Sequence, residues 1–136
     1  MQRVTLLFSV TLCLSACSTM SPEQCRTADW KQIGLIDGRQ GLPASHVESL
    51  KNTCNSTGAV VPVDLYEQGH LLGLADYCTS AGGFRAGASG EYYRGVCPKD
   101  TEMEFLQQHS AGQRVWALKI ERLGVQQDIA QQREKI

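Results

Sequence analysis

The chain has 136 residues and a formal net charge of −1 at pH 7, with 42% hydrophobic and 20% charged residues. That length suits one small domain and not two. No basic excess or lysine/arginine block is available to neutralise phosphates, so no nucleic-acid partner is expected.

The chain opens with Arg3, an apolar run over residues 4–14, and the small residues Ser15-Ala16, the pattern of a secretory signal. Cys17 follows directly, and Leu14-Ser15-Ala16-Cys17 resembles a bacterial lipobox. The resemblance implies a diacylglyceryl group on the Cys17 thiol, cleavage after Ala16 and acylation of the new amino terminus. Residues 1–16 are therefore read as a lipoprotein signal peptide and 17–24 as a lipidated tether. Loss of Arg3 takes the formal charge from −1 to −2. Later apolar runs, around residues 59–63 and 71–75, are too short to span a bilayer, so membrane attachment is expected through the lipid alone. Each buried methylene contributes about 0.8 kcal/mol, and two or three acyl chains hold far more firmly than one. Ser18 stands where, in enteric lipoproteins, aspartate favours inner-membrane retention; serine points to the outer membrane, facing the periplasm. A tether reaching at most about 25 Å keeps the domain close to the bilayer.

Residues 25–100 are expected to form a small, mainly α, disulfide-stapled domain with a Gly-rich ordered loop, and residues 101–136 a long C-terminal helix. Thr27, with Asp29 in the first turn, starts a first helix carrying Trp30, Ile33 and Leu35, which Gly41 and Pro43 stop. Ser45-His46-Val47-Glu48 reads as a capping box opening a second helix through Val47, Leu50 and Cys54. Asp64, after Pro62 and three residues before Glu67, starts a third through Leu65, Tyr66, Leu72 and Tyr77. Segment 79–98 carries five of the 13 glycines, and its turn chemistry predicts an ordered loop or short hairpin rather than a helix. Thr101-Glu102-Met103-Glu104 opens the C-terminal stretch, about 50 Å long if fully helical. Within it Val115, Leu118, Val125, Ile129 and Ile136 fall on a and d positions, interrupted by Arg122 and Gln132. Trp116, Ile120 and Leu123 make a neighbouring stripe. That pattern allows self-association or packing back on the glycine-bearing helices.

Cys13 leaves with the signal and Cys17 takes the lipid, which leaves Cys25, Cys54, Cys78 and Cys97. Four cysteines in an exported chain imply two disulfides and allow three connectivities. Cys25–Cys54 with Cys78–Cys97 is favoured, because each bridge closes a moderate local loop worth roughly 3–4 kcal/mol. With no CxxC pair and scattered histidines, neither a metal site nor a cofactor is expected.

Two helices carry glycine on one face: Trp30, Gly34, Gly38 and Gly41 on the first, Tyr66, Gly69, Gly73 and Tyr77 on the third. An interior glycine costs about 1 kcal/mol against alanine. The spacing therefore predicts that the two helices cross glycine face to glycine face, clasped by the aromatic rings. Asp29, Asp37, Arg39 and Glu67 lie nearest these faces, and Asp37, Glu67 and Glu91 are the acid–base candidates. No GxSxG, HExxH, P-loop or SxxK motif occurs, and His46, His70 and His109 stand singly. Tyr77, Phe84, Arg85, Glu91, Tyr92, Tyr93 and Arg94 form the candidate binding surface, since rings among hydrogen-bonding residues suit glycan or peptide recognition. The competing role for these rings is a mini-core against Cys78 and Cys97.

The run of Cys25, Asp29-Trp30, Ile33-Gly34, Asp37-Gly38, Gly41 and Cys54 continues through Tyr66, Gly69, Gly73-Leu74 and Tyr77-Cys78. It ends with Gly87, Gly90, Tyr92, Gly95-Val96-Cys97-Pro98, Phe105 and Gly112. This pattern, over residues 24–112, resembles a family of bacterial lipoproteins catalogued as domain of unknown function 2799. The resemblance implies an envelope location and a shared compact domain, and it carries over no reaction. The expected role is a lipid-anchored envelope component that engages an envelope protein or cell-wall glycan such as peptidoglycan without catalysis. The alternative is a hydrolase acting on envelope glycan or peptide.

Overall fold

Six α-helices and no strand make up the regular structure of residues 20–135, the part of the chain that the computed structural model describes. The signal-peptide and Cys17 readings lie outside these residues. In chain order the helices are α1 (Pro22–Thr27), α2 (Trp30–Arg39), α3 (His46–Asn55), α4 (Val63–Tyr77), α5 (Ser80–Ala88) and α6 (Lys99–Glu134). Asp29 caps α2 by accepting the Gln32 N–H at 3.0 Å. Thr27, read as the start with Asp29 in its first turn, instead ends α1. Ser45 holds the expected N-cap position of α3, and the starts at Asp64 and Thr101 are displaced. Ser45 makes no side-chain cap bond, because the chain enters α3 through a turn in which His46 N–H reaches the Pro43 carbonyl. Pro62 and Pro98 occupy the N-cap positions of α4 and α6, which leaves Asp64 and Thr101 inside the first turns. Proline has no N–H to leave unpaired there.

Part of the 79–98 loop reading is wrong: Ser80–Ala88 is helical, capped by Thr79 on the Gly82 N–H at 3.0 Å, and only residues 89–98 form a loop. Its glycines, weak helix formers alone, are compensated by a neighbouring backbone. A Cβ on Gly83 would be driven into the Phe105 carbonyl, and one on Gly87 into that of His109.

The same device joins α2 to α4. A Cβ on Gly34 would strike the Tyr66 carbonyl, on Gly38 that of His70, on Gly69 that of Lys31, and on Gly73 that of Leu35. The predicted glycine-to-glycine crossing is thus present. Contacts advance together along both chains, so α2 and α4 run parallel and the chain must travel back between them. Residues 40–62, with α3, form that return.

The second pair, α5 with α6, repeats the first position by position. Gly34, Gly38 and Gly41 of the first pair correspond to Gly83, Gly87 and Gly90 of the second, with the same spacings of four and three. Tyr66, His70, Gly73 and Tyr77 correspond to Phe105, His109, Gly112 and Trp116. Gly41 (φ 62°) ends α2 beneath the Tyr77 ring, and Gly90 (φ 75°) ends α5 beneath the Trp116 ring. Both sit in the left-handed region that favours glycine. Leu42 N–H then bonds the Asp37 carbonyl and Glu91 N–H the Ala86 carbonyl, each at 3.0 Å, the same helix-ending bond twice. His70 Nε2 donates to the Leu42 carbonyl at 2.7 Å, and His109 Nε2 to the Glu91 carbonyl at 2.8 Å. Stacking repeats as well, Tyr66 on His70 at 5.8 Å and Phe105 on His109 at 5.9 Å.

Each pair has its own small core and its own disulfide. Cys25–Cys54 lies among Trp30, Val47, Val61 and Tyr66, whereas Cys78–Cys97 lies with Tyr77, Ala86 and Phe105. Both bridges tie the segment entering a pair's first helix to the segment entering its second. The pairing is the one favoured from loop length, with Cα separations of 5.6 and 5.4 Å. The first part of α6 lies along α5, not on the α2/α4 glycine helices, and all residues from Ala117 through Lys135 are exposed.

Gly73→Ala and Gly112→Ala, equivalent positions facing helix backbone, are each expected to lower stability by at least about 2 kcal/mol in thermal or urea melts. Gly124→Ala, where an added Cβ meets nothing within 4 Å among the described residues, is expected to raise it by up to about 1 kcal/mol.

Two buried phenols give an opposed pair. Tyr66 donates to Asp37 Oδ2 at 2.8 Å, whereas the buried Tyr77 Oη has no partner among the described residues. Tyr66→Phe is expected to cost about 1.5–3 kcal/mol, and Tyr77→Phe to be neutral or stabilising in the same melts. Burial pushes the Tyr66, Tyr77 and Tyr93 phenols above their ordinary value of 10.0. A raised value means the folded state holds its proton more tightly. This stability is fully present below pH 10 and is lost as pH climbs through the folded values. The melting temperature is expected to decline above about pH 10, less steeply in the double Tyr66→Phe/Tyr77→Phe variant.

Candidate functional site

The two glycine-clasped pairs meet where α4 runs into α5. Tyr77 closes the first pair over Gly41, and its ring also lies 4.9 Å from Phe105 of the second pair. Cys78 and Thr79 follow with almost no slack, because Thr79 already caps α5. Two shallow depressions open at this junction, on either side of Arg39. The first, about 460 Å³, is lined by Arg39, Ala75, Asp76, Tyr77, Thr79 and Arg85. The second, about 350 Å³, is lined by Arg39, Gln40, Leu42, Glu91, Tyr92 and Arg94. Both volumes fall in the range of clefts that hold small molecules, about 300–1,000 Å³.

Arg39 reaches its place from the last turn of α2, where a cation complements the helix dipole. Its Nε donates to Asp76 Oδ2 at 2.7 Å across the two helices. Half of each side chain remains exposed, so the pair contributes little to stability. Arg85 and Arg94 form no ion pair among the described residues. Tyr92 stands 80% exposed at the edge of the second depression. Its neighbour Tyr93 turns inward, donating to Glu102 at 2.8 Å, accepting the Cys97 N–H at 2.9 Å, and packing on Phe105.

The residues proposed from sequence for a binding surface therefore separate. Tyr77 and Arg85 line one depression, and Glu91, Tyr92 and Arg94 line the other. Tyr93 belongs to the second core, and Phe84, partly exposed on α5, lines neither depression. Arg39, Gln40, Leu42, Ala75, Asp76 and Thr79 complete the lining and lie outside the set proposed from sequence. The matching glycine spacings were the available signal that Gly82–Gly90 forms a second helix end; nothing local marks Asp76 or Gln40.

The three acid–base candidates fall in separate surroundings. Asp37 is buried and its Oδ2 accepts from both Tyr66 and His46 Nδ1, each at 2.8 Å. Glu67 is exposed on α4, and Glu91 lines the second depression. His46 is thus held by Asp37, and His70 and His109 are held by backbone carbonyls. Among the described residues no group of three or more His, Cys, Asp or Glu side chains is placed to hold a metal ion. No helix among them is long and apolar enough to cross a membrane.

The internal correspondence separates what the clasp requires from what it does not. Glycines, stacked rings and carbonyl-bonded histidines occur in both pairs. The junction charges occur once: Arg39 corresponds to Ala88, Arg85 to Ile36, Asp76 to Val115, and Glu91 to Leu42. No curated protein and no solved structure matched the chain. The family described as "Protein of unknown function (DUF2799)" matches residues 29–114, a span holding the seam glycines of both pairs, and the chain belongs to that family.

Proposed function

We propose that the protein is a lipid-anchored component of the bacterial cell envelope that binds an envelope protein or cell-wall glycan at the Arg39 junction. The observation that carries the binding role is the single occurrence of the junction's charges within a duplicated clasp. The fold forms its second pair without an Arg39 or Asp76, and its first without an Arg85 or Glu91. Side chains that the packing does not need, gathered around two open depressions, suit recognition. Asp37, the buried member of the three acid–base candidates, is committed to Tyr66 and His46.

The anchor rests on the lipobox pattern at Cys17, and Ser18 favours the outer membrane facing the periplasm. The pairing of all four remaining cysteines supports an oxidising compartment. Beyond the junction, the exposed end of α6 offers Leu118, Ile120, Val125 and Ile129 as a surface for self-association.

Mass spectrometry of the native protein is expected to show cleavage before Cys17 with three acyl chains attached. Cys17→Ser is expected to shift the protein from the membrane to the soluble fraction while both disulfides still form. Cys17→Ser protein that still fractionates wholly with membranes would refute the anchor.

A further inference from the structure

We propose that the Arg39 junction binds a saccharide carrying a carboxylate, with Arg85 in one depression and Arg94 in the other supplying the positive field that favours the anion, and Tyr92 stacking on a sugar ring. This rests on the reading of the junction as the ligand surface and adds the ligand's chemistry.

Charge balance comes first. Three guanidinium groups surround the two depressions, against the carboxylates of Asp76 and Glu91. Asp76 is already engaged by Arg39. Arg85 and Arg94 have no ion-pair partner among the described residues, and the site keeps one positive charge in excess on a chain whose net charge is negative. Guanidinium groups present paired donors that match a carboxylate.

Shape and polarity then favour sugar over peptide. Two depressions sharing one arginine fit two consecutive rings better than one compact ion. Leu42 and Ala75 are the aliphatic residues lining these two depressions, so neither is itself an apolar anchor pocket; the apolar groove of Leu71, Leu74, Cys78 and Pro98 lies beside the first and outside the proposed site. The described residues contain no strand, hence no sheet edge for an extended peptide to join. Gln40, Thr79 and Glu91 instead supply donors and acceptors for hydroxyls, and the exposed face of Tyr92 supplies the flat apolar surface that a sugar ring covers.

The test titrates the full mature chain, in detergent micelles, with the disaccharide N-acetylglucosaminyl-N-acetylmuramic acid and with neutral chitobiose, reading affinity by calorimetry or NMR shifts. The expected result is at least about tenfold preference for the carboxylated sugar, lost in Arg85→Gln/Arg94→Gln. Thermal melts check the fold of that variant, which removes two exposed side chains. Tyr92→Ala is expected to weaken both sugars together. Equal binding of the two sugars, with both lost in the arginine variant, overturns the carboxylate assignment and leaves the junction as the binding surface. Binding unchanged in the arginine variant overturns the junction as well. Absence of binding by either sugar, or tighter binding of a glutamate-rich peptide, overturns the saccharide assignment; none of these outcomes bears on the anchor.

Discussion

The close approach of two helix backbones at glycine is the constraint on which the structure depends. At Gly38 and Gly73 the backbones are so near that neither residue can carry a Cβ without striking the other helix, and Gly87 with Gly112 repeats the arrangement. Such contact gives up the large apolar area that leucine or phenylalanine would bury. What remains is dispersion between dense backbone surfaces, Cα–H to carbonyl contacts, and aromatic rings closing the ends of the seam. Tyr77 over Gly41 and Trp116 over Gly90 occupy the same place in the two seams. Each closing ring needs a positive-φ glycine below it, so the end of the helix and the end of the clasp are one feature.

Much of this was legible because glycine at helical spacing is costly unless a neighbour compensates it. Gly34, Gly38, Gly69 and Gly73 announced a crossing, and cysteine spacing announced the disulfides. Gly83, Gly87 and Gly90 carried the same spacing as Gly34, Gly38 and Gly41, yet local turn chemistry favoured a loop. The missing partner explains the difference: α6 lies across an intervening loop, and its matching face offers Phe105, His109 and a single glycine, Gly112, instead of the two on α4. Tertiary contact overrode propensity at the seam whose partner helix carries only one of the facing glycines. Candidate site residues were partly legible for a related reason. Arg85, Glu91, Tyr92 and Arg94 cluster in sequence, whereas Arg39 and Asp76 reach the junction only because α2 and α4 run parallel and end together.

The duplication gives an internal control that a single chain rarely offers. Where both copies keep a residue type, packing accounts for it: a histidine holding the carbonyl after the positive-φ glycine, an aromatic ring stacked on that histidine. Where the copies differ, the fold tolerates either choice, and the residue is free to serve something else. Asp37 marks the boundary of this logic. Its counterpart is Ala86, so the clasp does not need it, but Tyr66 carries a hydroxyl where the second pair has Phe105. Asp37 and that hydroxyl are a matched pair within the first unit, and their difference from the second copy is local polar satisfaction.

Parallel pairing also explains where the disulfides sit. Two parallel helices cannot be joined by a tight turn; the chain must return at least the length of α2, about 15 Å, before starting the partner helix. That return costs loop-closure entropy, and a glycine seam with a core of only a few side chains has little apolar burial to offset it. A bridge between the two helix starts removes much of the freedom the unfolded return would otherwise have, at roughly 3–4 kcal/mol for loops of this size. Cys25–Cys54 spans the return that contains α3, and Cys78–Cys97 runs from the start of α5 to the start of α6. The second return is shorter and has no helix of its own, and Tyr93, Val96 and Cys97 cover Phe105 there in place of α3. Each bridge thus stabilises the step that the parallel topology makes hardest, and the glycine seam and the disulfide in each pair are two halves of one solution.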